Sequence, residues 1–223
     1  MKRLTACLTI VLAACAAFAQ TVQNPRSDVE LVFAGDTTLD SAPGQLIRRG
    51  IDPFKSFNAL FSNADIRLLN LECVIATTGQ AVPKHYTFRA EPRVLHTLKR
   101  HIDGVTLANN HSGDYGRQAF AEMLTLLATH NIAQAGGGMN LAQAHTPWIV
   151  ERNGIRIAIL SYNEFMPRSY EAGAHAPGVA WSEDEQVVDD IRNARRIHQA
   201  DIVLPFMHWG WENEARANLR QRQ

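Results

Sequence analysis

The chain has 223 residues, 22 of them Lys or Arg and 22 Asp or Glu, and 46% of the residues are hydrophobic, which describes one globular domain with a substantial core. The balanced charge excludes a nucleic-acid partner held by phosphate neutralisation, which shows as a basic excess. Cys7, Cys15 and Cys73 are too few for a disulfide scaffold or a four-thiolate zinc site, and with two of them near the N-terminus Cys73 is expected to be a lone thiol.

Residues 1–20 read as a secretory signal: Lys2 and Arg3 form a charged start, and Leu4 to Ala14 an apolar stretch about half as long as a membrane-spanning helix. Two processing readings stay open. Ala17-Phe18-Ala19 before Gln20 fits a small-x-small cleavage site, and Leu12-Ala13-Ala14-Cys15 resembles a bacterial lipobox that would leave Cys15 lipidated. Either places the mature protein outside the cytoplasm, periplasmic or extracellular, and the second anchors it to a membrane. Removing Lys2 and Arg3 leaves 20 basic against 22 acidic residues, a formal −2.

After a polar linker, 21–28, the folded domain is expected over 29–212 and a polar, Arg-rich tail over 213–223. The run Val29 to Phe33 reads as a buried strand ended by Ala34-Gly35-Asp36. Residues 53–62 suit a short helix, Ile66–Asn70 a strand, Pro92–His101 a helix, Gly104–Leu107 a strand and Gly116–His130 a helix. That last helix carries Phe120, Met123, Leu124, Leu127 and Ala128 on one face. Gly136-Gly137-Gly138 lacks the Lys-Ser/Thr of a phosphate-binding loop and reads as a flexible turn. The apolar runs around Asn153-Gly154 read as a hairpin, because this dipeptide suits two positive-φ turn positions. Ser182 with Glu185 reads as a capping box for a helix to about His198, with Val187, Val188, Ile191, Ala194 and Ile197 as its apolar stripe. The strand Asp201–Met207 follows, and Pro205, lacking an N–H, suits an edge or a bulge. Alternating strands and helices imply an α/β fold with a parallel or mixed sheet. The tail is expected to be an exposed helix.

Ligands in open α/β sheets bind beyond the carboxyl ends of the strands. Four such ends bear groups that suit a divalent cation: Gly35-Asp36, Asn70-Leu71-Glu72, Ala108 to Asp114, and His208-Trp209-Gly210-Trp211-Glu212. Carboxylate, amide carbonyl and imidazole favour manganese, iron or zinc over metals that prefer thiolate. Each end alone has a plainer reading: a turn at Gly35-Asp36, a solvated Glu72, a helix cap at Asn109 to Ser112, a core imidazole at His208. Their conjunction favours a site.

At these ends the sequence resembles the poly-γ-glutamate capsule synthesis protein CapA family, similar in fold to the calcineurin-like metallophosphoesterases. The resemblance rests on Phe33-Ala34-Gly35-Asp36, Asn70-Leu71-Glu72, Leu107 to Gly116, Ala135 to Ala144 and His208 to Glu212. It implies a four-layer α/β/β/α sandwich with mixed sheets and two metal ions at the strand ends. Asp36 would ligate one metal, Glu72 would bridge, Asn110 and His208 would complete the second site, and His111 would be the general acid. Asn109, Asp114, Trp209 and Glu212 would face substrate. The implied partners are poly-γ-glutamate or a related polymer and membrane-bound capsule synthesis subunits, either for a metal-dependent hydrolase or for a non-catalytic accessory subunit; a general periplasmic phosphoesterase is a third reading. Two departures bear on catalysis. Thr38 stands where the phosphoesterase pattern has His, and no Gly-His-His-Pro-His-like segment follows Glu212, so the expectation is a fragment with its C-terminal part missing and one metal site short of ligands.

Overall fold

The computed structural model describes residues 28–166 and 168–223. The expected signal segment, with both processing readings, and the linker up to residue 27 lie outside the described residues.

In chain order the strands are β1 (Leu31–Thr37), β2 (Ile66–Leu71), β3 (Val74–Ile75), β4 (Arg89–Ala90), β5 (Gly104–Thr106), β6 (Ala133–Ala135), β7 (Gly137–Gly138), β8 (Trp148–Arg152), β9 (Ile155–Asn163), β10 (Gly178–Val179) and β11 (Ile202–His208). The helices are α1 (Ser41–Arg48), α2 (Asn58–Asn63), α3 (Val94–His101), α4 (Gly116–Thr129), α5 (Leu141–Ala144), α6 (Asp184–Arg196) and α7 (Leu219–Arg222). The fold is mixed α/β. An all-parallel sheet runs β1-β2-β5-β6, and a second sheet runs β11-β9-β8, with β11 parallel and β8 antiparallel to β9.

Apolar periodicity explains how the sheets are covered. Leu69 and Leu71 of β2 join a cluster with Leu95 and Leu98 of α3 and Phe120 and Met123 of α4. Ile66 and Leu68, on the opposite face of the same strand, join Ile157 and Ile159 of β9. The other face of β9 presents Leu160 and Tyr162 to Val187 and Ile191 of α6. β2 is thus apolar on both faces, as a central parallel strand should be, and each such fully buried Leu or Ile contributes about 1.5–3 kcal/mol.

The hairpin is present as expected: Asn153 and Gly154 have φ of 53° and 76° between β8 and β9. Pro205 sits in the edge strand β11. Four expectations need correction. The capping box at Ser182 does not form: Glu183 is the N-cap, without a side-chain bond. Ser182 instead donates its N–H to the Asn163 carbonyl, which keeps it in extended backbone beside β9. The stripe on α6 is narrower than expected, since Val188 and Ile197 are exposed. Only Gly136 of the glycine run is a turn, with φ 83°; Gly137 and Gly138 form β7 against β10. Glycine is needed there because a Cβ on Gly138 would lie 2.2 Å from the Ala144 backbone nitrogen. The tail is helical only over α7, closed by a reciprocal Asn218–Gln221 capping box.

Candidate metal centre

β1, β2 and β5 are parallel neighbours, so their carboxyl ends lie side by side, and the carboxyl end of β11 reaches the same place from the second sheet. Asp36 is aimed by a register shift between Ala34 and Asp36, a bulge at Gly35. Glu72 directly follows β2 and is tied by its N–H to the Thr37 carbonyl at 2.9 Å. His208 is the last residue of β11, in register with Asn163 of β9.

The structure brings Asp36, Glu72 and His208 together, each with one ligand atom within 4.8 Å of the others. His208 Nδ1 lies 3.7 Å from Asp36 Oδ1, and Nε2 lies 3.6 Å from Glu72 Oε1. Asn110 reaches the same imidazole, with Oδ1 2.9 Å from Nε2. The two carboxyls are driven apart in acidity. The His208 imidazole foremost, then the Asn70 amide, hold Asp36 down at about 2 against the opposing effect of burial. Burial, then the Asp36 charge, push Glu72 above the usual carboxylate range. Two carboxylates and an imidazole converging in a partly dehydrated pocket form a hard donor set whose repulsion a divalent cation would relieve, so these residues fit such an ion.

His111 lies near enough for its charge to act on Glu72. Its Nδ1 is 2.7 Å from Asp114 Oδ2, and Lys84 Nζ approaches that nitrogen at 3.1 Å while donating to Asp114 Oδ1 and the Asn110 carbonyl. Asp114 is fully buried and also accepts the Phe88 N–H. Asn109 is fully buried too: it donates to Asn70 and Leu71 and accepts from the His111 N–H and the Ser112 hydroxyl. The structure thus gives Asn109 and Asp114 contacts within the scaffold. Trp209 is half-buried under Arg220, whereas Glu212 is exposed and Trp211 points largely into solvent. Thr38 accepts the Asp40 N–H through its hydroxyl, a local turn contact.

Sequence reasoning missed Asn70 and Lys84 as parts of the centre. Asn70 carried a signal: an amide within the apolar run Ile66–Leu71 must find buried partners. Lys84, in the segment between β3 and β4, carried none. Cys73 is buried and free, its thiol pushed up to about 12 chiefly by burial, so it is inert. Among the described residues no helix is long and apolar enough to cross a membrane.

Comparison with known proteins agrees with this arrangement. Residues 30–223 match the family model for the bacterial capsule synthesis protein PGA_cap. The chain is 34% identical over 117 residues to the PGA biosynthesis protein CapA of Bacillus subtilis, covering 52% of this chain and 30% of that protein. It is 31% identical over 161 residues to a probable polyglutamine synthesis accessory protein of Mycobacterium tuberculosis, covering 66% of this chain and 41% of the relative. The capsule biosynthesis protein CapA of Bacillus anthracis is 25% identical over 52% of this chain and 29% of its own length. The chain thus spans less than half the length of these relatives. With the match running through every strand of both sheets, this chain belongs to the bacterial capsule synthesis protein family PGA_cap.

Proposed function

We propose that this chain is an exported component of poly-γ-glutamate capsule synthesis that holds a divalent transition metal, manganese, iron or zinc, between Asp36, Glu72 and His208. The observation that carries the reading is the convergence of these three donors at strand ends from two sheets, in a chain whose relatives are named for PGA biosynthesis and polyglutamine synthesis. The clusters on both faces of β2 and β9 support a four-layer α/β/β/α arrangement of the metallophosphatase type.

When bound, a cation of this kind lowers the pKa of a coordinated water and supplies a nucleophile at neutral pH. Asp36 and Glu72 provide the negative charge that retains the ion, and Asn70 keeps Asp36 aimed into the centre. Asp114 and Lys84 hold one edge of the His111 ring, which leaves the rest of that imidazole to deliver a proton to a leaving group. Glu212 and Trp211 are exposed beyond the centre and available to a polymer.

The test is turnover by the purified protein supplied with manganese, against poly-γ-glutamate followed by chain length and against a chromogenic phosphodiester. Cleavage of the polymer that is lost in Glu72→Ala and on chelation is the expected result; turnover of the phosphodiester alone would make the protein a general phosphoesterase. A second reading, a non-catalytic accessory subunit, is favoured by the name of the mycobacterial relative. Retention of poly-γ-glutamate without cleavage of either substrate would establish it and overturn the hydrolase.

A further inference from the structure

Distance alone does not say which nitrogen of His208 would meet a cation. Nδ1 faces Asp36 at 3.7 Å and Nε2 faces Glu72 at 3.6 Å, so either fits. The hydrogen positions decide, and a chain of buried amides sets them.

The two ends of an amide are alike in shape, so its orientation follows from its partners. Asn109 is anchored by backbone groups whose roles are fixed: the Leu71 carbonyl can only accept, at 2.9 Å, and the His111 N–H can only donate, at 3.0 Å. The NH₂ end of Asn109 therefore points also at Asn70, whose Oδ1 accepts from it at 3.0 Å and from the Thr106 hydroxyl at 3.1 Å. Asn70 is fully buried, and turning it over would set two donors against its own NH₂. Its NH₂ must then face outward, donating to Asp36 Oδ1 at 2.7 Å and meeting His208 Nδ1 at 3.3 Å. A nitrogen facing a donor must offer a lone pair. The proton of the neutral ring accordingly sits on Nε2, where the Asn110 Oδ1 accepts it at 2.9 Å.

We infer that the Asn109–Asn70 relay presets His208 as the Nε2–H tautomer, so that the imidazole engages a cation through Nδ1 and Asn110 positions the ring as a proton acceptor. The ligation half of this inference rests on the metal reading above; the tautomer half does not. Asn70 and Asn109 are positioning residues in this scheme. They transmit the fixed polarity of two backbone groups to a side chain on another sheet, and Asn70 releases Nδ1 to a cation while keeping Asp36.

The experiment is long-range ¹H–¹⁵N correlation of the histidine side chains in the metal-free protein, at a pH where the rings are neutral, with His208 assigned by the signal lost in His208→Ala. The expected pattern is a pyridine-type Nδ1 and a pyrrole-type Nε2. A protonated Nδ1, or an averaged pair, overturns the relay. On addition of Zn²⁺ the Nδ1 signal is expected to move while Nε2 keeps its proton, and a shift at Nε2 with Nδ1 protonated overturns the inference. A fixed Nε2–H tautomer with no response to Zn²⁺ would sink the metal centre and the ligation half with it, and leave the relay standing. Asn70→Asp, which replaces the donor by an acceptor, is expected to move the proton to Nδ1. If that variant does not fold, the wild-type spectrum decides alone.

Discussion

The two halves of the metal centre are built differently. Behind β2 and β5, Asn70, Thr106, Asn109 and Ser112 are all buried and bonded to one another or to backbone. On β1 and β11 the ligands stand on edge strands: Asp36 has a side chain 59% exposed, and the neighbouring Phe33 and Phe206 stack at 6.4 Å with Phe33 largely in solvent. The first half carries precision and no ligand; the second carries ligands and little rigidity of its own. A centre of this design positions exposed donors by reaching them from a fixed polar core, and perturbations to the two halves should separate stability from metal retention.

The sharpest separation is expected from Asn109→Ala against His208→Ala. Removing the Asn109 amide strands the Leu71 carbonyl, the His111 N–H and Asn70, at about 1–3 kcal/mol for each buried group left unpaired. A loss of about 3 kcal/mol in urea unfolding is therefore expected, with metal lost as well. His208→Ala should cost under about 1 kcal/mol, as for a half-exposed edge position, yet abolish metal retention. Equal destabilisation by both would break the distinction between halves.

Next in size is Glu122 on α4, which holds the scaffold half from outside by accepting from the backbone N–H and hydroxyl of both Thr77 and Thr78. Although burial opposes it, these four bonds bring its carboxyl down to about 2 from 4.5. A carboxylate lowered in the folded state contributes stability above its unfolded pKa and loses it as pH falls through the folded one. Glu122→Gln should cost about 1 kcal/mol at neutral pH, and its thermal midpoint should converge on that of the wild type between pH 4.5 and about 2. A constant gap across that window would contradict the assignment. Smallest is Phe33→Ser on the open edge, expected to change stability by about 0.5 kcal/mol or less, as read by the same unfolding midpoint.

Much of this architecture was legible from residues alone. Apolar runs ending in Asp36, Glu72 and His208 marked the strand ends, and Asn153-Gly154 marked the hairpin, because both signals are local. α1 was not anticipated: Asp40 caps it by accepting the Ser41 N–H, but Pro43 and Gly44 in its first turns read as a loop. The capping box at Ser182 failed because a non-local bond to Asn163 outweighed a local preference. Asn109 was expected beside substrate and lies in the scaffold; the difference depends on which way a loop amide turns, which only its partners decide. Lys84 joins His111 and Asp114 across 27 and 30 residues of chain, a pairing that leaves no pattern in the sequence.

The most direct test of the central claim is elemental analysis of the purified protein beside a Glu72→Ala control of equal folded fraction. The account predicts a transition metal in stoichiometric amount in the wild type that vanishes in the variant; metal no higher than in the control would contradict it and leave a binding protein without a metal centre.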